Sequence, residues 1–265
     1  MMYKQVYKLG FKKTYEYRAN FYMGFVSVIF PLTIQYFLWS GLFKASQSGI
    51  VFGYTFTQML AYAVFASLVT KINSTFFVYE INMDIKEGGM AKYLVKPISY
   101  FRYNFMSYLG EKSAIVLSSV IIIVALWLGI NILGKSALDI GQLLLFFLSL
   151  SLGLVLNFII FYGICSMGFW MIDASGAIFI TTLIGTIISG GIFPLDIFSK
   201  QIQFLMHLLP FPYTSYFPVS ILCGTITEQE IIEGFVLQAI WIGLAYVISK
   251  ALWKIGTKRY VAVGG

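Results

Sequence analysis

Hydrophobic positions in this chain run in long uncharged stretches and do not alternate with polar ones. Seven such intervals stand out: Ala19–Phe43, Ala45–Thr70, Ser113–Gly134, Ile140–Ile172, Ala174–Leu195, Gln201–Thr227 and Gly234–Ser249. A membrane-spanning helix needs about 20 mostly apolar residues, and six of the seven read as spans. The last can start at Ile231, with Lys250 and Lys254 snorkelling from its end and Trp253 as an interfacial anchor. Gln201–Thr227 differs. It contains His207, Pro210, Pro212 and Pro218, with Pro194 just before it, so four of the six prolines fall within Pro194–Pro218. Proline removes a backbone donor and blocks the helix ladder. This stretch predicts a broken, re-entrant element covered by protein, not a lipid-facing helix.

The pattern predicts an all-α polytopic membrane fold in a single domain. An N-terminal interfacial helix covers 1–19. Six transmembrane helices follow, at about 21–43, 52–70, 113–133, 141–170, 175–193 and 231–252. A cytoplasmic loop covers 71–112, and a re-entrant outer hairpin over 194–228 separates spans five and six. The first apolar interval is too long for the core of a cleavable signal and reads as a signal anchor.

Charge placement supports this order. With the N-terminus inside, 15 of the 18 basic residues lie on the inner side, and only Lys44, Lys135 and Lys200 lie outside. The positive-inside rule predicts that asymmetry. A seventh span through Gln201–Thr227 would move the four C-terminal basic residues outside. The net charge of +7 is therefore an orientation record, not a nucleic-acid footprint. Composition agrees: charged residues make up 11% of the 265, against about 25% in a soluble domain. That excludes a soluble enzyme and a free DNA-binding protein. Cys165 and Cys223 fall at different depths, and no disulfide is expected.

Two inner segments carry candidate chemistry. Tyr3, Tyr7, Phe11 and Tyr15 recur every four residues, with Lys4, Lys8 and Lys12 beside them. This predicts a helix lying on anionic membrane lipid. Between the second and third spans, the pair Gly88-Gly89 breaks any helix before it. Met90–Val95 then predicts a short helix with Met90, Tyr93 and Leu94 at i, i+3, i+4 spacing, stopped by Pro97. Such a helix suits docking into a groove on a soluble partner, and a plain connecting loop is the alternative.

The run Lys86-Glu87-Gly88-Gly89, then Leu94, then Lys96-Pro97-Ile98-Ser99, resembles the cytoplasmic signature of ABC-2 type exporter permeases. Ser189-Gly190-Gly191-Ile192-Phe193-Pro194-Leu195, followed by Leu208-Leu209-Pro210 and Pro218, is similar to that family's fifth span and its broken outer hairpin. The resemblance implies a non-catalytic subunit in the plasma membrane of a prokaryote, with both termini cytoplasmic. It implies an ATPase partner that carries ATP and Mg, and a second permease. Leu94-Val95-Lys96 is similar to permeases that work as one of two unlike partners. Lys86, Glu87, Gly88, Gly89, Tyr93, Leu94, Lys96 and Pro97 are then the contacts to the ATPase. Phe193, Pro194, Leu195, Pro210 and Pro212 would lie near the outer gate. No cofactor is implied on this chain.

Several other motifs carry less. Gly129–Ser136 matches the phosphate-loop pattern letter for letter, but it ends an apolar span on the outer side, without the strand–turn–helix context the mechanism needs. His207 is the only histidine, so a histidine metal cluster has no second member. Asp173 reads as a turn or helix cap. Asn73-Ser74-Thr75 matches a glycosylation pattern on the wrong side. Ser149, Gly153 and Asn157, and likewise Thr181, Gly185 and Ser189, place small or polar residues every four positions, for helix packing or a pathway. No span has a charge near its centre, which counts against a secondary carrier, and no polar catalytic cluster marks a lipid-modifying enzyme.

Overall fold

The computed structural model describes residues 2–16, 18–46, 49–94, 98–133, 139–171 and 173–260. They form eleven helices and one two-stranded hairpin. In order these are α1 (Met2–Glu16), α2 (Arg18–Ala45), β1 (Ile50–Val51), β2 (Tyr54–Thr55), α3 (Phe56–Ile72), α4 (Phe77–Lys86) and α5 (Ala91–Leu94). After these come α6 (Tyr100–Leu133), α7 (Ile140–Cys165), α8 (Ser175–Ile188), α9 (Lys200–His207), α10 (Tyr216–Cys223) and α11 (Glu228–Thr257). Short 3-10 turns cover Ser166–Phe169, Leu195–Ile197 and Phe211–Thr214.

Local sequence fixes the helix starts. Thr55 and Gln58 form a capping box at α3, and Thr227 and Glu230 form one at α11. The Asp139 carboxylate accepts from the N–H groups of Gly141 and Gln142 at the start of α7.

Among the described residues, five helical stretches are long and apolar enough to cross a membrane: Val26–Ala45, Phe56–Lys86, Tyr100–Ile132, Ile140–Phe169 and Glu228–Thr257. The stretch expected as the fifth span, 175–193, is helical only as far as Ile188. Its 14 residues rise about 21 Å, short of the roughly 30 Å hydrocarbon thickness. The helix stops because Gly190 adopts φ +73° and the Ser189 carbonyl accepts from the Tyr216 amide at 2.7 Å.

The inner segment 71–112 also differs from the expected loop. Most of it is helix: α4, α5 and the first turns of α6. Phe77, Val78, Ile81 and Ile85 repeat at helical spacing on α4, and all four are buried. They join one continuous core with α3, α7 and α10. The Phe158 ring at its centre meets Phe77, Phe105 and Tyr108 at 5.1 Å and Tyr162 at 5.6 Å.

The N-terminal helix forms as expected, but its aromatic stripe turns toward α6. Tyr3 Oη accepts from the Ser99 amide, Tyr7 Oη lies 2.8 Å from Ser113 Oγ, and Tyr15 Oη lies 3.3 Å from Ser118 Oγ. Two glycines allow this contact. A Cβ on Gly10 would overlap the Ser107 carbonyl, and one on Gly110 would overlap the Tyr7 carbonyl. Helix-on-helix packing takes up part of the face expected to meet lipid, and the stripe is half-buried, with Tyr15 exposed. Gly110→Val should therefore separate α1 from α6 and cost about 1–3 kcal/mol. The expected readout is a lower thermal midpoint together with new tryptic cleavage at Lys8 and Lys12. Gly129→Ala, where nothing lies within 4 Å, should leave both unchanged.

Candidate functional site

The chain from Pro210 to Ser215 is buried among helices although it is not itself a continuous helix. Two carboxamides hold it, and a third braces one of them. Asn73, just after α3, donates from Nδ2 to the Thr214 carbonyl at 2.7 Å and to Ser215 Oγ at 3.2 Å. Gln238 on α11 donates from Nε2 to the Tyr213 carbonyl and to the Ser149 carbonyl of α7, each at 2.9 Å. Asn157 on α7 donates to the Asn73 carbonyl at 2.9 Å. Gly153 gives the turn room, since a Cβ there would lie 3.2 Å from the Thr214 carbonyl oxygen. Gly185 of α8 does the same for the Phe211 ring.

Beside this knot lies a cavity of about 570 Å³ between α2, α3, α7, α8 and the Phe211–Ser215 segment. Ser27 and Gln35 line it from α2, Thr70 and Lys71 from α3, and Thr182 and Thr186 from α8. Asn157, Gly185 and Ser189, three of the six residues that sequence spacing singled out for packing or a pathway, share this wall. Gly153 and Ser149 belong to the knot. Thr181 faces a second cleft of about 670 Å³, lined largely by apolar residues such as Trp170, Trp241 and Ile248.

The expected gate residues separate into two places. Phe193 meets Trp39 of α2 edge to face, with centroids 6.0 Å apart, and Pro194 and Leu195 are buried after it. Pro210 and Pro212 lie with the knot, against α7 and α8. Asp196 ties the first group down. Its carboxylate accepts from Tyr54 Oη at 2.6 Å and from Tyr216 Oη at 3.0 Å, joining the β-hairpin to α10. Burial, and then the bond to Asp196, pushes the Tyr54 phenol well above its ordinary range. His207 packs on Tyr216 with centroids 5.6 Å apart, and burial lowers its pKa.

At the inner end, Lys86 closes α4 and pairs with Asp173 at 3.0 Å. Asp173 Oδ1 also accepts from the Ser175 amide at 2.8 Å, so it makes the turn into α8, one of the two roles the sequence suggested, and in addition links α4 to α8. That amide first, and Lys86 after it, hold the Asp173 carboxyl down at about 2. Glu87 is exposed. Gly88 adopts φ +78°, and a Cβ on Gly89 would lie 2.5 Å from Asp84 Oδ1. Tyr93 stands between the rings of Tyr100 and Tyr103, at 4.9 and 5.0 Å. Met90, expected on an outward apolar face, is buried. The helix it was to open covers only Ala91–Leu94. Lys96, Pro97 and the Leu94 side chain lie outside the described residues.

Sequence reasoning missed Asp84, which accepts from Tyr100 Oη at 2.9 Å and whose carbonyl accepts from the Met90 amide at 3.0 Å. It also missed Lys112. That side chain is buried, with Nζ donating to the Ser74 carbonyl at 2.7 Å and to Ser74 Oγ at 2.8 Å. Asn73 was set aside with its glycosylation pattern. The signal for both was position: a polar side chain at the inner edge of an apolar interval. Among the described residues, no group of three His, Cys, Asp or Glu side chains could hold a metal ion.

Removing either clamp should leave a buried carbonyl unpaired, at about 1–3 kcal/mol each. Asn73→Ala and Gln238→Ala should each lower the thermal midpoint of the purified chain. The double variant should differ from their sum, because both hold one short segment. An unchanged midpoint in both single variants would remove the clamp.

The comparisons with known proteins give one match. A family model described as ABC-2 family transporter protein matches residues 29–264, which takes in every element from within α2 onward. No curated protein and no solved structure matches the chain. The matched range holds the long apolar helices, the cavity and the segments whose motifs resembled ABC-2 permeases. The chain belongs to the ABC-2 transporter family, as a multi-pass membrane permease of an ABC transporter.

Proposed function

We propose that this chain is the permease subunit of an ATP-driven exporter in a prokaryotic plasma membrane. It forms one half of a translocation pathway. A second permease, a paralogue or another copy, forms the other half. A separate ATPase bound at the cytoplasmic face carries ATP and Mg²⁺ and does the hydrolysis. The single observation that carries this reading is the family match over residues 29–264.

The finer topology is six spans with both termini cytoplasmic. α8 and the chain after it serve as the fifth span, and Pro194–Glu228 serves as a re-entrant outer hairpin. The distribution of charge supports this orientation, with 15 of 18 basic residues on one side. The contacts of Phe211–Ser215 with Gly153 and Gln238 support the re-entrant reading. Those residues lie about 15–20 Å along α7 and α11 from their outer ends, at 1.5 Å per residue.

The coupling element is the segment from Asp84 to Ser99. Its folded core is held by Asp84, while Lys86, Glu87 and Lys92 face outward with much of their side chains exposed. Through the Lys86–Asp173 pair, a push on this segment reaches α8, which walls the cavity. ATP-driven closure of the ATPase pair would thus reshape the cavity from below, while the Asp196 cluster holds its upper rim. The mix of hydroxyl, amide and aromatic groups on the cavity wall suits a lipophilic, amphiphilic or peptide cargo better than a small ion.

Deleting Gly88–Pro97 should abolish co-purification of an ATPase that carries a phosphate loop, with insertion of the permease into membranes unchanged. If the complex survives the deletion, the coupling assignment is wrong.

A further inference from the structure

The cavity wall carries one half-buried ammonium without a carboxylate at ion-pair distance. Lys71, at the end of α3, lines the cavity with its ammonium against Gly24 of α2. Its ammonium makes no ion pair or hydrogen bond among the described residues. Glu111 attracts it, but Glu111 lies beyond ion-pair distance and sits 3.6 Å from Lys112 Nζ. Lys112 in turn donates to Ser74. Two ammonium groups therefore face one carboxylate, next to the protein's interior.

The same cavity leaves acceptors idle. Gln35 and Asn73 are 6% and 7% exposed, and Gln35 Oε1 and Asn73 Oδ1 have no partner. Asn73 Nδ2 already donates twice, which fixes its amide orientation and leaves the oxygen free. Thr182 Oγ1 on the opposite wall is also unpartnered. Buried polar atoms without partners are rare and call for a ligand or water. A group that satisfies the inner end of this wall must bring an anionic oxygen for Lys71 and a hydroxyl donor for the Asn73 oxygen, whereas Gln35 lies about 16 Å further along α2 from Gly24.

The cavity also opens sideways. Phe76 and Phe179 line it, and they are 67% and 60% exposed. In a membrane these rings meet hydrocarbon. A volume of about 570 Å³ takes a head group of drug-like size, with alkyl chains left in the bilayer beyond the two rings.

We propose that this cavity binds the head group of an anionic, hydroxyl-bearing membrane amphiphile, with Lys71 as its counter-ion and Asn73 and Thr182 as its hydrogen-bonding partners. Phosphatidylglycerol has this chemistry, with a phosphodiester anion and two hydroxyl donors. That such an amphiphile is the cargo rests on the permease reading above. The binding itself does not.

The test is a titration of the full-length chain, purified in neutral detergent, with tail-labelled fluorescent phosphatidylglycerol. Unlabelled lipids of the same chains compete. Phosphatidylglycerol should compete at least tenfold better than phosphatidylcholine. Lys71→Gln should bring that ratio near one, and Lys71→Arg should restore most of it. Thr182→Val should weaken phosphatidylglycerol about threefold, and it carries the test if Lys71→Gln does not fold. The paired change Lys4→Gln and Lys8→Gln on α1 should leave the Lys71-dependent preference intact.

A ratio near one in the parent chain overturns the proposal, as does full preference in Lys71→Gln or unchanged affinity in Thr182→Val. Displacement by glycerol 3-phosphate at the concentration of the lipid would instead make this a soluble-anion site and overturn the lipid assignment. The titration uses no ATP and no partner, so its failure leaves the permease reading standing. Failure of the unaltered chain to co-purify with any ATPase would do the reverse.

Discussion

A backbone that leaves the helix inside a membrane protein must find its hydrogen bonds among its neighbours, because the hydrocarbon supplies none. In this chain that constraint falls on Pro210–Ser215. Pro210 and Pro212 lack N–H groups, so helix continuation fails, and the carbonyls of Tyr213 and Thr214 are turned toward side chains. Asn73 and Gln238 meet them from α3 and α11, and Asn157 on α7 donates to the Asn73 carbonyl. Each carboxamide comes from a different helix. The broken segment thereby fixes how α3, α7 and α11 stand to one another.

The cavity is a consequence of the same arrangement. α8 ends at Ile188 because Ser189 and Gly190 must turn to meet Tyr216 at the start of α10. A helix that stops early leaves space that a full span would fill. Hydroxyls from the last turns of α8 and amides from α2 and α3 then face that space. Above it, Asp196 binds the β-hairpin to α10 through two tyrosines. Below it, Asp173 binds α8 to the end of α4 through Lys86. The cavity is thus walled by elements anchored at one end to an outer latch and at the other to an exposed inner segment.

Much of the architecture was legible in the sequence. Uncharged intervals located the long helices, and the prolines located the break, since both signals are local. The turn role of Asp173 was legible too, because Asp two residues before Ser175 is a short-range pattern. Contacts between distant segments were not. Gly10 and Gly110 are 100 positions apart, and nothing local says that each accommodates the other's helix, so the aromatic stripe of α1 read as lipid-facing. The apolar spacing of Phe77, Val78, Ile81 and Ile85 was present but was masked by the charges at Glu80, Asp84 and Lys86. Asn73, Lys71 and Lys112 sit where apolar intervals end, a position that also suits residues with no role beyond orientation. Pro194 and Pro210 looked like one gate because they are close in sequence, yet one caps the outer rim and the other lies in the knot.

The clamp on the broken segment is the claim on which the rest depends, and hydrogen exchange tests it most directly. In the full-length chain in lipid nanodiscs, the amides of Phe211 and of Tyr213–Tyr216 should exchange about as slowly as those of α7, and should become fast when Asn73 and Gln238 are both changed to alanine. Rapid exchange of these amides in the unaltered chain, at the rate of an exposed loop, would contradict the account.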